Sequence, residues 1–147
     1  MISTISKEEY IHIYNIVGAC YEVHDIVGRG LTEAIYQELL EIELNMRGIE
    51  YEREKKLIMK YKGIELKKEY YADFICKDVI IELKAVDEIC SEHRAQLMNY
   101  LRITGMKKGV LVNFGEKSLW VERYIYQEDT DDFALLLKSN LSKYVRN

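Results

Sequence analysis

Between residues 7 and 26, apolar or small positions recur at Ile11, Tyr14, Val17, Gly18, Tyr21 and Val23, a spacing that predicts an amphipathic helix. Gly28-Arg29-Gly30 breaks that pattern. A second helix is expected over 32–47, where Leu31, Ile35, Leu39, Ile42 and Met46 keep the three-to-four spacing and Gly48 stops it. The period then turns extended. Strands are expected over 51–61 and 66–76, separated by a Lys62-Gly63 turn. After a short Lys77-Asp78 turn, Val79-Ile80-Ile81-Glu82-Leu83-Lys84 reads as a central strand with apolar residues on both faces. A helix follows over 91–104 and ends at Gly105. Residues 109–114 read as another buried strand, 119–126 as an edge strand, and 131–144 as a last helix with acids in its first turn and Lys143 and Arg146 at its end.

The resulting order, α-α-β-β-β-α-β-β-α, predicts an α/β fold with a central mixed sheet flanked by helices. One domain over 1–147 is the simplest organisation, because the chain has no proline, no Gly/Ser-rich run and no repeat. A chain of 147 residues buries roughly two thirds of its unfolded surface and needs no disulfide to fold. Cys20, Cys76 and Cys90 lack metal-ligand spacing and read as reduced, mostly buried thiols. No basic stretch followed by an apolar core opens the chain, and no apolar run approaches the roughly 20 residues of a membrane span. A cytoplasmic protein without a membrane partner is therefore expected.

The net charge is −4, which argues against coating nucleic acid by bulk electrostatics. Its distribution is uneven. The first fifty residues hold nine acids against three bases, whereas 51–70 hold Arg53, Lys55, Lys56, Lys60, Lys62, Lys67 and Lys68 against four acids. That basic stretch reads either as a solvated hairpin with gatekeeping lysines or as a surface that tracks phosphates.

Three features converge on one candidate site. Asp73 lies in the second long strand, Glu82 and Lys84 share one face of the third, and Glu33 opens the second helix. If the two strands are neighbours, Asp73 and Glu82 lie side by side and repel unless a proton or a cation sits between them. Oxygen-only ligands suit Mg²⁺ or Mn²⁺, which would acidify water and stabilise charge on phosphorus. Lys84 would then hold the attacking water or the developing charge. Each residue also has a plainer role: a charged pair at a strand rim for Glu82 and Lys84, a strand-end acid for Asp73, and a dipole-favoured acid for Glu33.

These residues, in this order, resemble the GxxExxY family of the PD-(D/E)xK nuclease-like superfamily. The naming motif stands as Gly30-Leu31-Thr32-Glu33-Ala34-Ile35-Tyr36, preceded by Val23-His24. Tyr61-Lys62-Gly63, Tyr71-Ala72-Asp73, Ile81-Glu82-Leu83-Lys84-Ala85, Gln96-Leu97-Met98-Asn99-Tyr100-Leu101 and Gly109-Val110-Leu111-Val112-Asn113-Phe114-Gly115 follow in the family's order. Arg29 stands where that family usually has proline, a change confined to the stiffness of the turn. The resemblance implies a restriction-endonuclease-like core, α-β-β-β-α-β, and metal ligands at Glu33, Asp73 and Glu82. It also implies a catalytic lysine at Lys84, a completing residue at Gln96, and Tyr100 beside Gln96 on the same helix face.

His24 is expected to bond a backbone group, Tyr36 to pack or orient Glu33, His93 to be a minor candidate for the cleft, and Cys90 to be structural. The lead expectation is a nuclease that hydrolyses phosphodiesters of nucleic acid with Mg²⁺ or Mn²⁺. The alternatives are a non-catalytic nuclease-fold module that binds nucleic acid or a protein, and a hydrolase of small phosphoesters. No separate DNA-reading domain fits within 147 residues, so specificity would need a protein partner or a homo-oligomer.

Overall fold

The computed structural model describes residues 4–147; the reading of the first three residues as free of a leader lies outside that range. After a two-residue strand β1 (Ile5–Ser6), helix α1 (Lys7–Val27) begins at a capping box. Ser6 Oγ accepts the Glu9 N–H at 3.1 Å, and Glu9 Oε1 accepts the Ser6 N–H at 3.0 Å. Gly28, at φ 68°, ends the helix where a side chain would be strained. Helix α2 (Glu33–Met46) follows. Both helices lie where the periodicity placed them, but the expected stripes do not all face inward. Ile11, Tyr14, Tyr21, Ile35, Ile42 and Met46 are exposed, while Ile13, Ile16, Cys20, Tyr36, Leu40 and Leu44 are buried. Each helix carries apolar residues on two sides, and spacing alone does not say which side meets the sheet.

Strand β2 (Glu52–Leu57) precedes a separate hairpin of β3 (Lys60–Tyr61) and β4 (Ile64–Glu65). The single strand expected over 51–61 is thus divided. Lys62 and Gly63, at φ 50° and 80°, form the tight turn of the hairpin. Then come β5 (Tyr70–Cys76), β6 (Val79–Lys84), α3 (Ser91–Thr104), β7 (Lys108–Asn113), β8 (Trp120–Gln127) and β9 (Asp132–Leu135). Six strands make one sheet in the order β2-β5-β6-β7-β8-β9, with β6 and β7 parallel and the other neighbours antiparallel. Helix α3 is the crossover between the parallel pair.

Two corrections concern the C-terminal third. Strand β8 is not an edge, because β9 pairs along it. The long helix expected over 131–144 is instead strand β9, a 3₁₀ turn at Lys138–Asn140, the one-turn helix α4 (Leu141–Tyr144), and β10 (Val145–Arg146). The reason lies in residues 133–136. Ala134 and Leu136 pack into one core while Phe133 and Leu135 pack against the other, a two-residue period that only a strand satisfies. Strand β10 returns beside β1, with Ile5 paired to Val145.

Each sheet face carries its own core. Helices α1 and α2 cover Phe74, Cys76, Ile81, Leu83, Val110 and Val112. Helix α3 covers Ala72, Ile80, Leu111 and Tyr124. Among the described residues no helix is long and apolar enough to cross a membrane.

Candidate active site

The alternation of β5 slips at Asp73. Phe74 and Cys76 pack on the α1–α2 side, but both Ala72 and Ile75 pack on the α3 side, which a regular two-residue period cannot produce. Across from Asp73, Glu54 has φ 51°, between the Arg53–Phe74 and Lys55–Ala72 pairs. On the other flank the β5–β6 ladder stops at Phe74–Ile81. Beyond it, side chains replace the missing ladder bonds. The Asp73 N–H donates to Glu82 Oε1 at 3.1 Å, and the Leu83 N–H donates to Asp73 Oδ2 at 2.9 Å. Asp73 and Glu82, on consecutive strands, thus meet at the point where the strands part.

Their environment favours the protonated forms. Burial pushes the Glu82 carboxyl well above its usual range, and the neighbouring Asp73 charge adds to that; the Asp73 N–H and Lys84 offset only part. Asp73 is also raised, by burial first and by the charge of Glu33, against the opposing Leu83 N–H and the Lys84 ammonium. Only 3% of Glu82 is exposed. A buried and a half-buried carboxyl side by side, with a lysine near both, are a site for a shared proton or for a cation.

Glu33 is exposed in the first turn of α2 and acts on Asp73 through its charge. It does not close on the pair as a third ligand: among the described residues, no three His, Cys, Asp or Glu side chains form a metal-holding group. The oxygen-only pair still fits Mg²⁺ or Mn²⁺, because Mg²⁺ is commonly bound by one or two carboxylates together with waters and substrate phosphates. Tyr36 shapes the turn that presents Glu33. Its hydroxyl donates to the Gly28 carbonyl at 2.5 Å and accepts the Leu31 N–H at 3.3 Å, while its ring stacks on Phe114 at 4.7 Å. It therefore packs and pins the turn, and its hydroxyl bonds backbone groups of Gly28 and Leu31 and not Glu33.

Lys84 ends β6 on the same face as Glu82 and is half-buried. The chain just after it is clamped. The Phe114 N–H donates to the Lys84 carbonyl at 2.8 Å. Asn113 Oδ1 accepts the Val86 N–H at 3.0 Å and its Nδ2 donates to the Val86 carbonyl at 2.9 Å. A Cβ on Gly115 would lie 2.2 Å from the Val86 oxygen, so only glycine allows this approach.

Gln96 and Tyr100 stand on α3 over the same face, with Gln96 Nε2 donating to the Tyr100 hydroxyl at 3.3 Å. Burial, then the Glu82 charge, pushes the Tyr100 phenol up to about 12. Both residues line a cleft of ≈ 430 Å³ with Met59, Tyr70, Asn99 and Ile103. A larger concavity of ≈ 640 Å³ opens elsewhere, around Asn45, Ile49 and Tyr51, and contains none of the candidate residues. The smaller cleft is the relevant one, because Tyr100 joins it to the acid pair.

His24, His93 and the three cysteines sort as follows. His24 Nε2 meets the Glu116 carbonyl at 2.9 Å, as expected of a structural histidine. His93 caps α3, its Nδ1 accepting the Cys90 N–H at 3.1 Å. Cys90 does have a histidine beside it, with Sγ 3.4 Å from His93 Nδ1, a contact the sequence reading did not foresee. Cys20 and Cys76 are buried, and all three thiols are free.

Three contributors escaped the sequence reading. Gln37 is buried in α2, donates to the Asp73 carbonyl at 3.4 Å and accepts from Arg53 at 3.3 Å. Asn113 is the polar end of a fully buried strand, a signal visible in the sequence as one amide closing an apolar run. Glu122, within β8, holds Arg94 of α3, whose Nε and Nη2 donate at 2.8–3.1 Å.

The family model described as the PD-(D/E)XK nuclease superfamily matches residues 11–124. Among solved structures, the chain is similar to the crystal structure of SSO0001, with a TM-score of 0.53 and 22% sequence identity. The match covers 66% of this chain and 53% of that protein, so the chain spans about half the length of its structural relative. No curated protein matches the chain.

Proposed function

We propose that this chain, which belongs to the PD-(D/E)XK nuclease superfamily, is a divalent-metal-dependent nuclease hydrolysing phosphodiester bonds of nucleic acid. The observation that carries the proposal is the cross-bonded Asp73–Glu82 pair at the parting of β5 and β6, with Lys84 on the same face. Asp73 and Glu82 would hold Mg²⁺ or Mn²⁺, and Glu33 adds its negative charge from the start of α2. The chemistry supplied there is charge neutralisation on the phosphate and a more acidic water. Lys84 orients the attacking water and offsets the charge that builds on phosphorus. Gln96 and Tyr100 line the cleft beside the pair and contact the substrate. Within the superfamily we read the chain as a GxxExxY protein. Supporting this, the Gly30-to-Tyr36 motif is one structural unit, with Tyr36 pinning the turn that presents Glu33.

The second reading, a nuclease-fold module without catalysis, is favoured by one observation: no third protein ligand joins the acid pair among the described residues. A labelled panel of single- and double-stranded DNA, RNA and supercoiled plasmid separates the two. The nuclease reading expects cleavage that needs Mg²⁺ or Mn²⁺, stops in chelator, and is lost in both Asp73→Ala and Lys84→Ala. Intact substrates at high enzyme in Mn²⁺, with no Mn²⁺ affinity by calorimetry, would establish the binding module instead.

A further inference from the structure

Trp120 is the single tryptophan of the chain, and 46% of it is exposed. It is nevertheless held in place. Its indole Nε1 donates to Glu122 Oε2 at 2.8 Å. Glu122 is 6% exposed and also accepts the Tyr124 hydroxyl at 2.6 Å and two nitrogens of Arg94. A buried carboxylate that receives this many donors is fixed, and it fixes the indole with it. The donors around it keep the carboxylate ionised: burial would raise Glu122, but the bonds from Arg94, Tyr124 and Trp120 outweigh it and lower its pKa.

The position of Trp120 relative to the acid pair follows from the sheet register. Lys84 pairs with Asn113, and Asn113 pairs with Trp120. Paired residues on neighbouring strands share a face, so Lys84 and Trp120 stand in one row on the α3 side, two strand spacings or about 10 Å apart. The adjacent row runs Glu82, Leu111, Glu122. The carboxylate that holds the indole is thus the row-mate of the candidate metal ligand.

We propose that Trp120 is a base-stacking platform, and that the substrate presents an unstacked nucleobase to it beside the phosphate at Asp73 and Glu82. This rests on the nucleic-acid reading above and adds the substrate class: a single strand, or a single-stranded segment next to a duplex. Bases inside a duplex are stacked on one another and offer no free face to an indole, whereas a single strand stacks on aromatic side chains whatever its sequence. Because the indole is already ordered, stacking costs little further side-chain entropy.

The single tryptophan makes the test direct. The full chain, with Ca²⁺ replacing Mg²⁺, is titrated with short fluorescein-labelled DNA and RNA single strands and with a blunt DNA duplex. Anisotropy of the label reads binding, and tryptophan emission of unlabelled titrations reads stacking. The expected result is saturable quenching by a single strand and about a tenfold loss of single-strand affinity in Trp120→Ala. Trp120→Phe, which keeps a ring but lacks the indole N–H, recovers most of that loss, and circular dichroism melting verifies that both variants fold. Single-strand binding with unchanged tryptophan emission, or with equal affinity in Trp120→Ala, would overturn the platform and leave the nuclease reading standing. Absence of any oligonucleotide binding by anisotropy would overturn both.

Discussion

Asp73 and Glu82 each complete the other's strand: the Glu82 carboxyl takes the Asp73 N–H, and the Asp73 carboxyl takes the N–H of Leu83, the residue after Glu82. The pair therefore serves as structure while it is raised in pKa by burial. That combination has a thermodynamic consequence. Above the ordinary carboxylate value of 4.5, an unfolded Glu82 has lost its proton while the folded one keeps it. The folded state then binds more protons, so stability falls as pH rises from that value toward the raised one.

Glu82→Gln removes this penalty, and its amide oxygen can still accept the Asp73 N–H. In chelator at neutral pH the variant should melt about 2–4 °C above wild type, on the order of 1 kcal/mol for a chain of this size. Adding Mn²⁺ should raise wild type and leave the variant nearly unchanged. Scanning calorimetry across pH reads both effects, and a variant that melts below wild type in chelator at pH 7 would count against the raised pKa.

A second ionic cluster acts in the opposite direction. Lys108 is 2% exposed and binds Glu9 at 2.9 Å and Asp78 at 2.7 Å. Burial would raise Glu9, but bonds from Lys108 and the Ser6 N–H, with the charges of Lys108 and Lys107, bring it down to about 2. Its contribution is complete above 4.5 and is lost as pH falls from 4.5 toward 2. Lys108→Met should cost about 1–2 kcal/mol at neutral pH, because the two freed carboxylates lie near the surface and rehydrate. Urea unfolding at pH 7 and pH 3 checks this: the gap between variant and wild type should narrow in acid.

Gly115 is where the chain after Lys84 is pressed against β7's end. Gly115→Ala places a methyl within 2.2 Å of the Val86 carbonyl, so backbone must move. The expected cost is about 2–3 kcal/mol, with Mn²⁺-dependent cleavage falling further than stability accounts for. Denaturation and cleavage rates measured on the same samples would show this, and a variant that is fully stable and active would exclude a clamp on Lys84.

The hairpin of β3 and β4 stands beside the cleft, since Met59 lines it. Lys55 and Lys56 pair with Glu52 and Glu69, but Lys60, Lys62, Lys67 and Lys68 join no ion pair among the described residues. If these lysines track phosphates, Lys60→Ala and Lys62→Ala should each reduce the slope of log affinity against log salt by about 1. An unchanged slope in the double variant would assign them to keeping the hairpin edge soluble.

Much of the frame was legible in the chain. Gly28, Gly48 and Gly105 mark helix ends because each stands at positive φ. The apolar runs of β6 and β7 announce central strands because both faces are covered. The pairing of Asp73 with Glu82 was conditional on strand adjacency, and the order β5-β6 satisfies that condition. Residues 131–144 misled because acids before a run of leucines imitate a helix start, whereas contact with two cores on alternate residues selects a strand.

The sequence by itself determined most elements between residues 7 and 127 and their order, together with the chemistry of the acids and the lysine, since spacing, turn residues and side-chain type are local properties. Tertiary structure decided the rest. It chose which stripe of α1 and α2 is buried, because both helices are apolar on two sides. It made β8 internal by laying β9 along it. It set Trp120 in the row of Lys84 and pinned it through Glu122, because register across three strands is fixed by packing on both faces and no local pattern encodes it.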